Sequence, residues 1–373
     1  MRLWRSLLGL LVAVGVVGLA AAAACPASID PAAYRPVEPL PLDGALAVDD
    51  ALSRVELLGS GHLLGPEDVE PVEDGPSEAP ALLTGNADGS IRRLRSTADG
   101  WSVELFADTG GRPLGLDRDA TGTLWVANAE RGLLAVDPRG DVRGAVAEVA
   151  GAPIGFADDV ATGPDGRVYV SDASSRHGPE ALFLETLEAK PWGRLIEHDP
   201  ASGGSRVLLD DLFFANGVAV EPEGRFVLVA ETFRYRLLRY WLAGPRAGES
   251  EIFVDRLPGF PDGVSSDGQG GFWLALYSLR SAMLDRLLHP RPALKRIVAR
   301  LPSALQPPPR AYGLVVHLDG DGRVLSSLHD PSGERFPFVT SVEEYRGVLY
   351  LGSVESDAVG RQRLDSPNGR SSG

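Results

Sequence analysis

Two strings, FANGVAVEPEGRFVLVAET (residues 214–232) and PGFPDGVSSDGQGGFWLA (residues 258–275), each set an oxygen-bearing side chain in a Gly/Pro turn just ahead of an apolar strand. The side chains are Asn216 and Asp262. Amide and carboxylate oxygens are hard donors suited to a cation such as Ca²⁺, and a carboxylate can also act as a base or a nucleophile. Asp and Asn ahead of strands are equally common as turn formers that satisfy local backbone N–H groups, so the residues alone leave both readings open.

Other chemistries lack their parts. The six histidines (His62, His177, His198, His289, His317, His329) show no H-E-x-x-H spacing, which argues against a zinc protease. The G-x-S-x-G spacing occurs only in GRSSG (369–373), with no apolar strand ahead of it to make a nucleophile elbow, and no phosphate-cradling loop is present. The only lysines, Lys190 and Lys295, lie in polar or helical surroundings. A net charge of -15 without a basic cluster argues against a nucleic-acid partner and reads as a solvated acidic surface or an attraction for cations.

A site on loops needs a rigid frame, and the chain repeats one. A Gly-containing turn followed at once by an apolar strand occurs as ATGTLWVANA (120–129), GPDGRVYVSDAS (163–174), EPEGRFVLVAE (221–231), DGQGGFWLALYS (267–278) and YRGVLYLGSV (345–354). A sixth copy falls near PALLTGNADGSIRRL (80–94), where Asp88-Gly89 makes a hairpin turn. Gly122, Gly166, Gly224 and Gly270 are separated by 44, 58 and 46 residues, close to the length of a four-stranded propeller blade. The expectation is an all-β fold, a six-bladed β-propeller over residues 61–366, in which the innermost strands bring distant residues to one channel mouth.

GRPLGLDRDATGTLWVANAERGLLAVDP (111–138), FADDVATGPDGRVYVSDASSR (156–176), SLHDPSG (327–333) and the two opening strings together resemble the strictosidine synthase-like family, over roughly residues 64–364 and in order. The wider superfamily of six-bladed hydrolases holds a Ca²⁺ at the channel mouth. Carried over by position, the resemblance implies Glu67, Asp158, Asn216 and Asp262 as metal ligands and Asp262 as the catalytic carboxylate. Asp158 stands where relatives usually carry Asn, which raises the ligand charge, and Asp159 matches an aspartate with a structural or supporting role. His329 in SLHDPSG is either a base facing the channel or a structural turn contact. The implied activity is Ca²⁺-assisted esterase or lactonase chemistry on a small, apolar substrate. Two alternatives stay open: a non-catalytic binding propeller with a structural Ca²⁺, and strictosidine synthase-type condensation, which requires an acid from the last blade near Glu343 or Glu344.

The N-terminal run is uncharged from Ser6 to Cys25 behind Arg2 and Arg5. It is long enough to span a bilayer and is read as a signal anchor (1–25) that leaves the body extracytoplasmic or periplasmic; a cleaved signal peptide and a lipoprotein signal at Cys25 are the competing readings. Cys25 is the only cysteine, so the disulfide loop of many relatives is missing. Residues 26–60 read as a Pro-rich stalk and entry segment, and 367–373 as a disordered tail. Within 279–305, Met283, Leu284, Leu287 and Leu288, and then Leu294, Ile297, Val298 and Leu301, fall at helical spacing, which predicts two short helices packed over the propeller, or a lid that shapes substrate entry or touches lipid. No feature of the sequence specifies an oligomeric state.

Overall fold

A computed structural model describes residues 29–73, 79–302, 305–306 and 308–364. The expected anchor and tail lie outside the described residues, and among the described residues no helix is long and apolar enough to cross a membrane. The chain divides into two compact units, a β unit and a smaller helical one.

The β unit is a six-bladed propeller of four-stranded antiparallel sheets. Its innermost strands, in blade order, are Val69–Val72, Pro113–Arg118, Ala157–Thr162, Ala215–Val220, Gly259–Ser266 and Val339–Tyr345. The second strands Leu124–Asn128, Val168–Asp172, Phe226–Glu231 and Val348–Ser353 are buried at every residue. Covered on both faces, they read in the sequence as unbroken apolar runs. The turns before them need a left-handed residue, and Gly122, Gly166, Gly224 and Gly347 take φ of 89°, 80°, 71° and 77°; Gly270, before the fifth blade's second strand, Phe272–Leu279, takes 95°. Asp88-Gly89 forms the expected hairpin, between the second and third strands of the first blade, Ala81–Gly85 and Ser90–Thr97.

The ring closes outside the span read for the propeller. Glu56–Leu58 pairs antiparallel with Val359–Arg363 as the outermost strand of the last blade, with Glu56 opposite Arg361 and Leu58 opposite Val359. Residues 37–46, read as part of a stalk, are extended but bound along their length to the propeller. Arg280 Nη1 donates to Val37 O at 2.6 Å, Arg256 Nε to Glu38 O at 2.8 Å, and Leu40 N to Arg256 O at 2.8 Å. Leu46 is buried in the cluster that holds Phe253, Phe272 and Leu318. Prolines deny this segment its own ladder, and the arginines supply the donors that its carbonyls need.

In the helical unit, helices α1 (Leu182–Glu188), α2 (Met283–Leu288, wound as a π-turn) and α3 (Pro292–Val298) are tied to residues 29–36. Asp30 N donates to Glu188 Oε1 at 2.7 Å and Ala32 N to Glu188 O at 3.1 Å. Lys295 Nζ donates to Ala32 O at 2.8 Å, and Tyr34 N to His289 O at 2.9 Å. The two helices expected in 279–305 are present, but in α3 the buried side chain is Lys295, while Leu294, Ile297 and Val298 are only half-buried. Helix α1 carries too few residues to show a period and was not evident in the sequence.

Candidate metal centre

Aligned on the bulge of five innermost strands and, in the first blade, on the start of Val69–Val72, six tetrapeptides correspond: Pro66-Glu67-Asp68-Val69, Pro113-Leu114-Gly115-Leu116, Ala157-Asp158-Asp159-Val160, Ala215-Asn216-Gly217-Val218, Pro261-Asp262-Gly263-Val264 and Val339-Thr340-Ser341-Val342. The second residue of each forms one layer around the axis. Glu67, Asp158, Asn216 and Asp262 fill four places of that layer, and Leu114 and Thr340 the others. The blades can come this close because Gly217 and Gly352 have no side chain. A Cβ on Gly217 would lie 2.2 Å from Asp262 O, and one on Gly352 2.0 Å from Glu67 O.

Glu67, Asp158 and Asp262 are 7%, 5% and 8% exposed. Each offers a carboxylate oxygen, and these oxygens all lie within 4.8 Å of one another. Ligands on opposite sides of a Ca²⁺ bound at 2.3–2.6 Å would be about 4.6–5.2 Å apart, so the three oxygens fit on one coordination sphere. Asn216, also buried, hydrogen-bonds the Asp262 carboxylate. The donor set is oxygen only, as a hard cation requires.

The electrostatics agree with that fit. Burial, followed by the charges of Asp262, Asp68, Asp158 and Asp159, drives the Glu67 carboxyl well above the usual carboxylate range. Asp158 is driven up in the same direction by burial and then by Asp262 and Asp159. Burial pushes Asp262 up to about 8, against the hydrogen bonds from Asn216 and the Gly263 N–H. Three buried carboxyls this close either retain protons or share a cation.

The third residues of the repeats do other work. Asp68 accepts from Leu116 N of the second blade at 2.7 Å, and Asp159 from Val218 N of the fourth at 2.7 Å. Asp117, two residues further along its repeat, accepts from Thr162 N of the third blade at 2.5 Å. Thr232 Oγ1 donates to Pro261 O, Ser265 Oγ to Val342 O and Thr340 Oγ1 to Glu67 O, at 2.7, 2.5 and 2.5 Å. One such bond therefore crosses each of the six blade junctions. Asp68 and Asp117 were not singled out by the sequence; their signal is the repeat itself, which becomes visible only in register.

Beyond the carboxylate layer the channel widens into a cavity of about 250 Å³ whose walls include Glu70, Asp117 and Glu343. Burial lifts Glu70 and Glu343 well above the usual range and Asp117 to about 6. Glu343 thus faces the channel, but three residues along its strand from Thr340, or about 10 Å from the ligand layer. Glu344 instead accepts the Trp273 indole N–H at 2.6 Å. His329 lies on the outermost strand of the fifth blade, fully buried between the Tyr312 hydroxyl (2.9 Å) and Ser327 Oγ (2.8 Å), and burial lowers its pKa. It is a structural contact and does not face the channel.

A family model for strictosidine synthase matches residues 158–245. Adipocyte plasma membrane-associated protein of Mus musculus is 34% identical over 363 residues, covering 91% of this chain and 85% of that protein. The chain belongs to the strictosidine synthase-like family. A second member of the family, strictosidine synthase-like 10 of Arabidopsis thaliana, is 34% identical over 348 residues, covering 85% of this chain and 89% of its own. Among solved structures, a gluconolactonase from Xanthomonas campestris superposes with a TM-score of 0.59 at 17% identity, covering 92% of this chain and 99% of that one. A calcium-binding regucalcin from Agrobacterium tumefaciens superposes with a TM-score of 0.52 at 15% identity, covering 83% and 94%. At these identities the two structures speak for the six-bladed fold that the family shares.

Proposed function

We propose that this family member is a membrane-anchored, extracytoplasmic hydrolase of small apolar esters or lactones, with Ca²⁺ held by Glu67, Asp158, Asn216 and Asp262. The observation that carries the reading is the buried trio of carboxylate oxygens within 4.8 Å of one another, with Asn216 beside them. A bound Ca²⁺ would supply Lewis acidity toward a carbonyl oxygen. The chain supplies the rest. Glu67 and Asp158 fix negative charge on the blade walls, and Asn216 orients the Asp262 carboxylate through its hydrogen bond. In this reading Asp262 acts as nucleophile or base. Phe156, Phe214, Phe233 and Leu114 pack into one buried apolar cluster around the starts of the innermost strands, and this apolar surrounding is the support for an apolar acyl or aryl group. For location, the support is the uncharged run from Ser6 to Cys25 and the plasma-membrane association in the name of the Mus musculus relative.

The test is hydrolysis of phenyl acetate and a panel of small lactones, with Ca²⁺ and then with chelator. Turnover that needs Ca²⁺ and is abolished by Asp262→Asn in a folded protein is the expected result. Absence of turnover together with a Ca²⁺-dependent rise in Tm would make the ion structural and the protein a binding module. Because Glu343 faces the channel, amine and aldehyde condensation is the second reading, and Glu343→Gln distinguishes it by abolishing condensation while leaving ester turnover intact.

A further inference from the structure

The helical unit differs in surface character from the rest of the chain. Its described segments (29–36, 181–190 and 281–309) carry seven basic side chains against four acidic, in a protein whose net charge is -15. Two of the acids, Glu185 and Glu188, are buried. Arg35, Arg286 and Arg291 are exposed, and Arg296 and Arg300 half-exposed. The same unit displays Leu182, Met283, Leu287 and Leu305 at 44%, 40%, 45% and 66% exposure, and the apolar residues of α3 are only half-covered. Large apolar groups flanked by arginines suit the boundary between lipid headgroups and acyl chains.

The position of this unit in the chain names the occupant. Ile29 is buried in it, and Asp30 and Ala32 are clamped to α1 and α3. Ile29 stands four positions beyond Cys25, the end of the apolar run, a reach of at most about 14 Å. We infer that the helical unit lies in the membrane interface, with Leu182, Met283, Leu287 and Leu305 among the lipids and its arginines at anionic headgroups. This rests on the anchor proposed above. A run that spans the bilayer keeps the clamped segment within about 14 Å of the surface.

The experiment uses the full chain as Cys25→Ser, with a single cysteine in place of Leu287 and, separately, Met283 or Leu325, labelled with the fluorophore NBD. Leu325 is an exposed apolar residue of the propeller and serves as the reference. Each protein is reconstituted into phosphatidylcholine vesicles with and without phosphatidylglycerol, and floated on a density gradient. Brominated phosphatidylcholine should quench NBD at 287 and 283 about two-fold or more, further with phosphatidylglycerol, and leave 325 unchanged. Flotation with no more quenching at 287 and 283 than at 325 overturns the inference while the anchor stands. Failure to float overturns the anchor and the inference with it.

Discussion

In the proposed reaction Asp262 concentrates the chemistry in one side chain. Replacing it with Asn keeps the shape and the Asn216 contact but removes a charge and a potential nucleophile; turnover should fall by about 10²-fold or more, measured with phenyl acetate under saturating Ca²⁺. The same carboxyl sets a pH dependence. Without a cation its pKa in the folded protein is about 8 against the ordinary 3.8, so the folded state binds the proton more tightly than the unfolded. Stability of the chelated protein is then complete below about pH 4 and is lost as pH rises toward 8. Added Ca²⁺ should reverse that loss, so the gap in Tm between Ca²⁺ and chelator should widen from pH 6 to pH 8.5. Equal gaps at the two values would contradict the carboxylate cluster as the binding site. Asn216 and Asp262 announced themselves in the sequence by their Gly and Pro neighbours, which read as turns ahead of strands but are bulges within the innermost strands Ala215–Val220 and Gly259–Ser266; Glu67 and Asp158 stood out only through family resemblance. The reason is physical: the layer holds five residue types in six repeats, so no consensus marks it, and the convergence is a property of the ring.

At the scale of the elements, the innermost strands carry the site and tolerate little bulk where they meet. Gly217→Ala would drive a Cβ into the Asp262 carbonyl, which cannot yield without moving the next blade's strand. The expected cost is about 1–3 kcal/mol, with a weaker Ca²⁺ response in Tm. Gly166→Ala meets nothing within 4 Å but must hold φ near 80°, so it should cost about 1–2 kcal/mol and leave the Ca²⁺ response intact. Two glycines of one repeat family thus separate by a single thermal-shift measurement. The propeller strands were legible because burial on both faces makes them apolar and their turns demand glycine. The helical unit was legible only in part. Its periodicity exposed α2 and α3, but the burial of Lys295 follows from its hydrogen bond to Ala32, a residue 263 positions away that no local pattern connects to it. The segment 37–46 likewise reads as a free linker until the arginines that bind it are located.

For the whole molecule, the decisive junction is between the first strand and the last. Leu58 is 1% exposed in the cluster that also holds Val348, Tyr350 and Val359. Leu58→Ala should cost about 2–5 kcal/mol in denaturant melts, in a single transition seen alike by fluorescence and circular dichroism. Separate transitions would show that the last blade opens independently of the ring. Arg361 Nη1 meets Glu56 Oε2 at 3.1 Å across 305 residues of chain. A ribosome adding about 5–20 residues per second takes roughly 15–60 s to cover that distance. For that interval the closing strand waits without its partner, and a strand of three residues ending in a charge offers little for other chains to pair with. Its brevity keeps an unfinished ring from being captured by other chains before it closes.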